Sequence, residues 1–128
     1  MKLVGVGLDL VKIERVRAAV ERWQGRFLDR VFTEAERRYC FSKPSPYASL
    51  AARFAVKEAV FKALGTGWSN GVQWVDIQVL NDATGRPRAS VHGQAGRLAR
   101  QAGVTEILVS LSHDDEYAMA EAVLVAGE

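Results

Sequence analysis

From Tyr47 to Leu64 the sequence contains neither proline nor glycine, and Gly65 follows at once. A breaker-free stretch closed by a glycine predicts the longest helix of the chain, and everything else has to be arranged around it. At 100° per residue, Leu50, Phe54, Phe61 and Leu64 fall within one quadrant, while Ala52, Val56, Val60 and Ala63 cover another. Apolar side chains therefore occupy much of the circumference. Glu58 and Lys62 lie on the remaining strip with Ala51 and Ala55, so the charged pair has small neighbours and something could approach it closely.

Residues 3–10 read as a strand with Val4, Val6, Leu8 and Leu10 on one face and Gly5, Gly7 and Asp9 on the other. Two glycines beside a carboxylate leave room for another backbone or a ligand, although a strand running out into a turn would look the same. Residues 11–22 predict a helix that ends near Trp23 and Gly25. Thr33-Glu34-Ala35-Glu36 has the spacing of a capping box and predicts a short helix carrying Tyr39 and Cys40, followed by a loop at Ser42-Lys43-Pro44-Ser45-Pro46. The period changes to two at Val75, Ile77 and Val79. A strand there, the turn Asn81 to Gly85 and a returning strand from Arg86 to His92, with Pro87 at its start or on an edge, make a hairpin. Gln94 to Ala102 predicts a helix closed by Gly103. Strands 107–111 and 117–125 then flank His113-Asp114-Asp115-Glu116. Helices before and between antiparallel hairpins predict an α+β fold in which an antiparallel sheet packs against the long helix.

At 128 residues the chain is expected to be one domain over 1–128 with a core that needs no disulfide or metal. A net charge of +2 is far from the basic excess of a dedicated nucleic-acid binder, so no nucleic-acid partner is expected and any anion site is local. The single Cys40 favours a reducing compartment, and no apolar run is long enough for a signal segment or a membrane span; a cytoplasmic protein is expected.

Asp9 and Glu58 are the two acids in apolar or small-residue settings, and two carboxylates completed by waters and phosphate oxygens suit Mg²⁺. Lys62, one turn beyond Glu58, fits either a point charge for phosphate or an ordinary i,i+4 helix pair. Gly65-Thr66-Gly67 could offer backbone N–H groups to an anion, but helix termination alone explains Gly65, and the turn is not a Walker A loop. His113, at a strand end after Ser110-Leu111-Ser112, could meet a phosphate or be incidental. Ser110 or Ser112, His113 and Asp114 are too close along one strand to converge as a triad. Cys40, between Tyr39 and Phe41, reads as a small buried hydrophobe, and His92 has no role.

Gly5-Val6-Gly7-Leu8-Asp9-Leu10-Val11, the run Arg53-Phe54-Ala55-Val56-Lys57-Glu58-Ala59-Val60-Phe61-Lys62-Ala63-Leu64-Gly65-Thr66-Gly67, and Ser110-Leu111-Ser112-His113 closely resemble the holo-acyl carrier protein synthase family of 4′-phosphopantetheinyl transferases. The resemblance runs nearly end to end, with Arg26-Phe27, the Thr33 to Glu36 box and the segment Asn81-Asp82 to Gly85-Arg86-Pro87 also matching. It implies transfer of 4′-phosphopantetheine from coenzyme A, as substrate, to a serine of apo acyl carrier protein, with adenosine 3′,5′-bisphosphate released and Mg²⁺ required. Fatty acid biosynthesis is the associated setting.

By the same matching, Asp9 and Glu58 would hold the metal and Lys62 would face the phosphates, these three being the catalytic set, with Glu58 the acceptor of the serine proton directly or through water. Arg53 and His113 would bind the 3′-phosphate end of coenzyme A, with Gly65 and Pro87 shaping the pocket. Arg15 and Arg26 would meet the acidic carrier protein. The resemblance further implies a homotrimer with coenzyme A between neighbouring subunits, which would account for the apolar circumference of the long helix. Lys12 and Trp68-Ser69-Asn70 depart from the commonest pattern, in places that bear on carrier preference and pocket shape. Metal-dependent phosphodiester hydrolysis would use Asp9, Glu58 and Lys62 as well, and a binding module would leave Glu58 and Lys62 as a plain helix pair.

Overall fold

The structure, a computed structural model, describes residues 1–66 and 69–127. The chain runs β1 (Lys2–Lys12), α1 (Ile13–Trp23), α2 (Gly25–Val31), α3 (Glu34–Phe41) and α4 (Pro46–Leu64), then a 3-10 turn at Trp74–Asp76, β2 (Ile77–Asn81), β3 (Pro87–Val91), α5 (Gly93–Gln101), β4 (Val104–His113) and β5 (Tyr117–Ala126). It is an α+β fold. β1, β5 and β4 form an antiparallel sheet in that order, and β2 pairs with β3 in a separate hairpin.

The sheet and α4 meet through small residues. Gly5 and Gly7 lie directly against the backbone carbonyls of Ala63 and Ala59, and the inward row of β5 beside them is Ala118, Ala120, Ala122 and Leu124, all buried. With no β-carbons between them, β1 and α4 pack backbone to backbone. The close approach anticipated beside Ala51 and Ala55 thus falls one step further round the helix, on Ala59 and Ala63. On its other sides α4 packs against α1, α3, β2 and α5. Phe54 and Phe61 close that side around Trp74, with ring centroids 4.7 and 5.6 Å away.

The apolar circumference of α4 is therefore covered within the chain, and association of copies is not needed to explain it. Among the described residues, the large exposed apolar side chains besides Met1, Trp23 and Phe41 gather on the outer face of the sheet, which Glu121 on β5 interrupts. Val6 (58 %), Leu8 (55 %) and Leu10 (61 %) on β1 are exposed, as are Met119 on β5 and Leu108 on β4. The row of β1 that looks like a core face in the sequence is the solvent-facing one, because the glycine row is the only one that lets α4 come close.

The local expectations hold with three shifts. Thr33 and Glu36 form the capping box at α3, and Gly65 ends α4 in the left-handed region at φ 77°. β1 stays extended through Val11 and Lys12, which pair with Ala118 and Tyr117 of β5, so α1 starts at Ile13. Val75 belongs to the 3-10 turn and not to β2: the Asp76 carboxylate accepts from the backbone N–H groups of Gln73 and Ala95 and curls the chain there. α2 has no counterpart in the sequence reading, although Phe27, Leu28 and Val31 carry its helical spacing. Cys40 is buried as expected, and burial pushes its thiol up. No helix among the described residues is long and apolar enough to cross a membrane.

Candidate active site

Asp9 continues the inward row of β1 beyond Gly5 and Gly7. Because those glycines hold β1 on the backbone of α4, the next inward side chain is delivered to the charged strip of the helix. Lys62 reaches across from α4 and donates to Asp9 Oδ1 at 3.0 Å and to the Leu8 carbonyl at 2.9 Å. Its hydrogen bonds run to the strand, so a plain helix pair with Glu58 does not describe it. Asp9, Glu58 and Arg15 line one cleft of about 360 Å³, with Lys12 at its edge and Phe27 and Phe54 as its apolar wall. Burial, then the Asp9 carboxylate, push the Glu58 carboxyl above its ordinary range, while Lys62 opposes them.

Two facing carboxylates in a half-buried cleft are the donor set that a hard cation takes up. Among the described residues no third His, Cys, Asp or Glu joins them, so further oxygens would come from water or a ligand. Phe27 also lines the neighbouring surface cleft with Trp23, Arg26 and Arg30. Arg22 and Arg26 lie against the Trp23 ring, 4.9 and 5.8 Å from its centroid. Arg15 and Arg26 thus flank a continuous surface around Phe27.

Arg53 points elsewhere. It is only 3 % exposed, donates to Ser49 Oγ at 3.1 Å and to Asn81 Oδ1 at 2.5 Å, and stacks 4.4 Å from the Tyr39 ring centroid. Its Nε is buried without a hydrogen-bond partner, and among the described residues no carboxylate forms an ion pair with it. Arg53 lines a second cleft with Lys43, Asn81, His113, Asp114 and Asp115, which shares no lining residue with the first. Arg53 and Lys43 bring two cations to this cleft against Asp114, whose carboxylate is taken up by the Glu116 and Tyr117 N–H groups, and Asp115, so an anion fits beside the guanidinium.

Pro87 lines neither cleft but pairs with Asn81 across the hairpin, next to the hand that grips Arg53. Gly65 also lines neither; it caps α4. Gly67 and Trp68, from the predicted anion turn and the divergent stretch, lie outside the described residues. Sequence reasoning missed Asn81, Ser49 and Tyr39 around Arg53, and the fully buried pair Lys57–Glu36. Asn81 looks like a turn residue in one dimension, and Lys57 and Glu36 lie 21 residues apart on different helices, so no local spacing signals the pair.

Residues 5–122 match the model of the 4′-phosphopantetheinyl transferase superfamily. A holo-acyl-carrier-protein synthase from Desulforudis audaxviator is 48% identical over 123 residues, 96% of this chain and 93% of that one. The chain belongs to the holo-acyl-carrier-protein synthase family. It is therefore an enzyme of the phosphopantetheinyl transferase class. The fold agrees: a holo-acyl-carrier-protein synthase from Neisseria meningitidis superposes with a TM-score of 0.87 at 28% identity, covering 96% of this chain and 98% of that one. The Helicobacter pylori synthase, in complex with coenzyme A, superposes with a TM-score of 0.83 at 28% identity over 94% of this chain and 99% of that one.

Proposed function

We propose that this protein, as one domain over residues 1–128, transfers the 4′-phosphopantetheine of coenzyme A to a serine of apo acyl carrier protein and releases adenosine 3′,5′-bisphosphate. The observation that carries this reading is the cleft holding Asp9, Glu58 and Arg15 in a chain of the holo-acyl-carrier-protein synthase family. The serine oxygen attacks a phosphorus of the pyrophosphate, forming the new P–O bond as the bond to the departing nucleotide breaks.

Asp9 and Glu58 would hold Mg²⁺, whose chemistry there is to neutralise charge gathering on the pyrophosphate and the leaving group. Glu58 accepts the serine proton, directly or through a water. Burial and Asp9 hold its carboxyl above the usual range in the metal-free cleft; a cation held there would offset both and keep it ionised, ready to accept a proton. Lys62 keeps Asp9 in position and adds positive charge beside the phosphates. Arg53 and His113 take the 3′-phosphate of the nucleotide in the second cleft, while Gly65 and Pro87, which line neither cleft, act only by ending α4 and by pairing with Asn81.

A substrate that meets both sets of residues, when no residue lines both clefts, fits a site shared between copies of the chain. The exposed apolar face of β1, β5 and β4 supports a homotrimer through that surface. Arg15 and Arg26, exposed on either side of Phe27, are suited to an acidic carrier protein. The setting that goes with this activity is cytoplasmic fatty acid biosynthesis.

The test is intact-mass spectrometry of an apo acyl carrier protein incubated with this protein, coenzyme A and Mg²⁺, beside a chelator control. A gain of one phosphopantetheine, absent with chelator, is expected. Hydrolysis of coenzyme A without a gain on the carrier would overturn the reading.

A further inference from the structure

β2 has a strand neighbour on one edge only. The backbone hydrogen bonds from His92 N to Asp76 O and from Asp82 N to Arg86 O put the even-numbered residues' backbone groups on the β3 side. The odd-numbered residues 77, 79 and 81 therefore turn theirs to the open edge, deep in the protein, where unpaired groups are costly. Among the described residues no further strand fills that edge. Lys57 Nζ donates to the carbonyls of Ile77 and Trp74, and Glu36 Oε2 accepts the Val79 N–H at 2.7 Å. Glu36 Oε1 accepts from Lys57 at 2.8 Å and from the Thr33 N–H at 2.9 Å, so the pair joins α3, α4 and β2 in one network. Both side chains are fully buried.

Lys57 stands one turn beyond Arg53 on α4, and Arg53 donates to Asn81, the last residue of β2. Three contacts at residues 77, 79 and 81 thus index β2 along the helix. The first two are supplied by a pair that touches neither cleft, and the third is the anion cleft itself.

We propose that Lys57 and Glu36 are positioning residues for the 3′-phosphate: as side-chain substitutes for a missing strand, they hold the register of β2 so that Asn81 orients the Arg53 guanidinium. This rests on the reading that the Arg53 cleft receives the 3′-phosphate of coenzyme A. A pair that only stabilised the fold would weaken all substrates alike. A positioning pair weakens coenzyme A more than its analogue without the 3′-phosphate.

The experiment measures kcat and KM for coenzyme A and for 3′-dephospho-coenzyme A with the native protein and with Arg53→Ala, Lys57→Met and Glu36→Gln. Arg53→Ala is expected to lower the native preference for coenzyme A by about tenfold or more, since a buried donor left without its anion discriminates strongly. Lys57→Met and Glu36→Gln are expected to lower the same preference by about fivefold, mainly through a raised KM for coenzyme A. Glu36→Gln keeps an acceptor at α3 and carries the test if Lys57→Met does not fold. An unchanged preference in Arg53→Ala would overturn the reading of the cleft. A lowered preference in Arg53→Ala beside an unchanged one in both pair variants would overturn the positioning role alone.

Discussion

A β-carbon on Gly7 would lie inside the van der Waals surface of the Ala59 carbonyl oxygen. That oxygen belongs to the backbone of the central helix and has nowhere to move, so the strand itself would have to lift. Lifting it would also withdraw Asp9, two residues on, from Lys62 and from the cleft with Glu58. Gly7→Ala is therefore expected to cost about 3 kcal/mol or more of stability and to remove activity from whatever fraction folds. Gly25→Ala, where a β-carbon meets open space, should stay within ~0.5 kcal/mol. Urea melts of both variants check this.

Asp9→Asn and Glu58→Gln remove a carboxylate from the cleft without changing its shape. Each is expected to lower kcat/KM for transfer by about 10²–10⁴-fold while the circular dichroism spectrum stays native. Full activity in either variant would remove that residue from the site.

The same glutamate has a cost in stability. Its carboxyl is pushed above the ordinary value of 4.5, so the folded state holds the proton more tightly than the unfolded chain does. The stabilisation this provides is fully present below that value and is lost as the pH rises through the raised folded value. Without metal, Glu58→Gln should then melt higher than the native protein at pH 7, with the difference fading toward pH 4. Added Mg²⁺ should raise the melting temperature of the native protein and leave Glu58→Gln nearly unmoved. Differential scanning calorimetry with and without chelator reads both.

Charge reversal at Arg15 or Arg26 is expected to raise the KM for the carrier protein by about tenfold, to weaken its salt dependence, and to change the KM for coenzyme A by less than about twofold. Equal effects on the two substrates would exclude the docking surface.

Leu8→Glu or Leu10→Glu sets a further negative charge on the uncovered sheet face, beside Glu121 of the central strand. Light scattering after size exclusion should then give a monomer, against the trimer proposed for the native protein, with activity lost alongside if the site is shared between copies. A trimer that persists in both variants would move the interface elsewhere.

The elements that depend on nearest neighbours were readable in one dimension. The capping box of α3, the glycine end of α4, the hairpin around Asp82 and the alternation of β1 are all local chemistry. The 3-10 turn at Trp74–Asp76 was not, because the carboxylate that curls it is also bonded to Ala95, far along the chain. Which face of β1 is buried was not readable either. Alternation names two faces, and hydrophobicity alone would bury the leucines.

By itself, then, the sequence determined the α+β class, the isolated acids Asp9 and Glu58, and a family likeness that names the chemistry. The tertiary structure decided that Gly5 and Gly7 face α4 while Leu8 and Leu10 face solvent, that Lys62 serves Asp9, and that Arg53 is aimed by Asn81 into a separate cleft. The reason is steric and electrostatic at once. A strand can lie on a helix backbone only where side chains are missing, and a buried cation takes its direction from acceptors that the chain brings in from a distance.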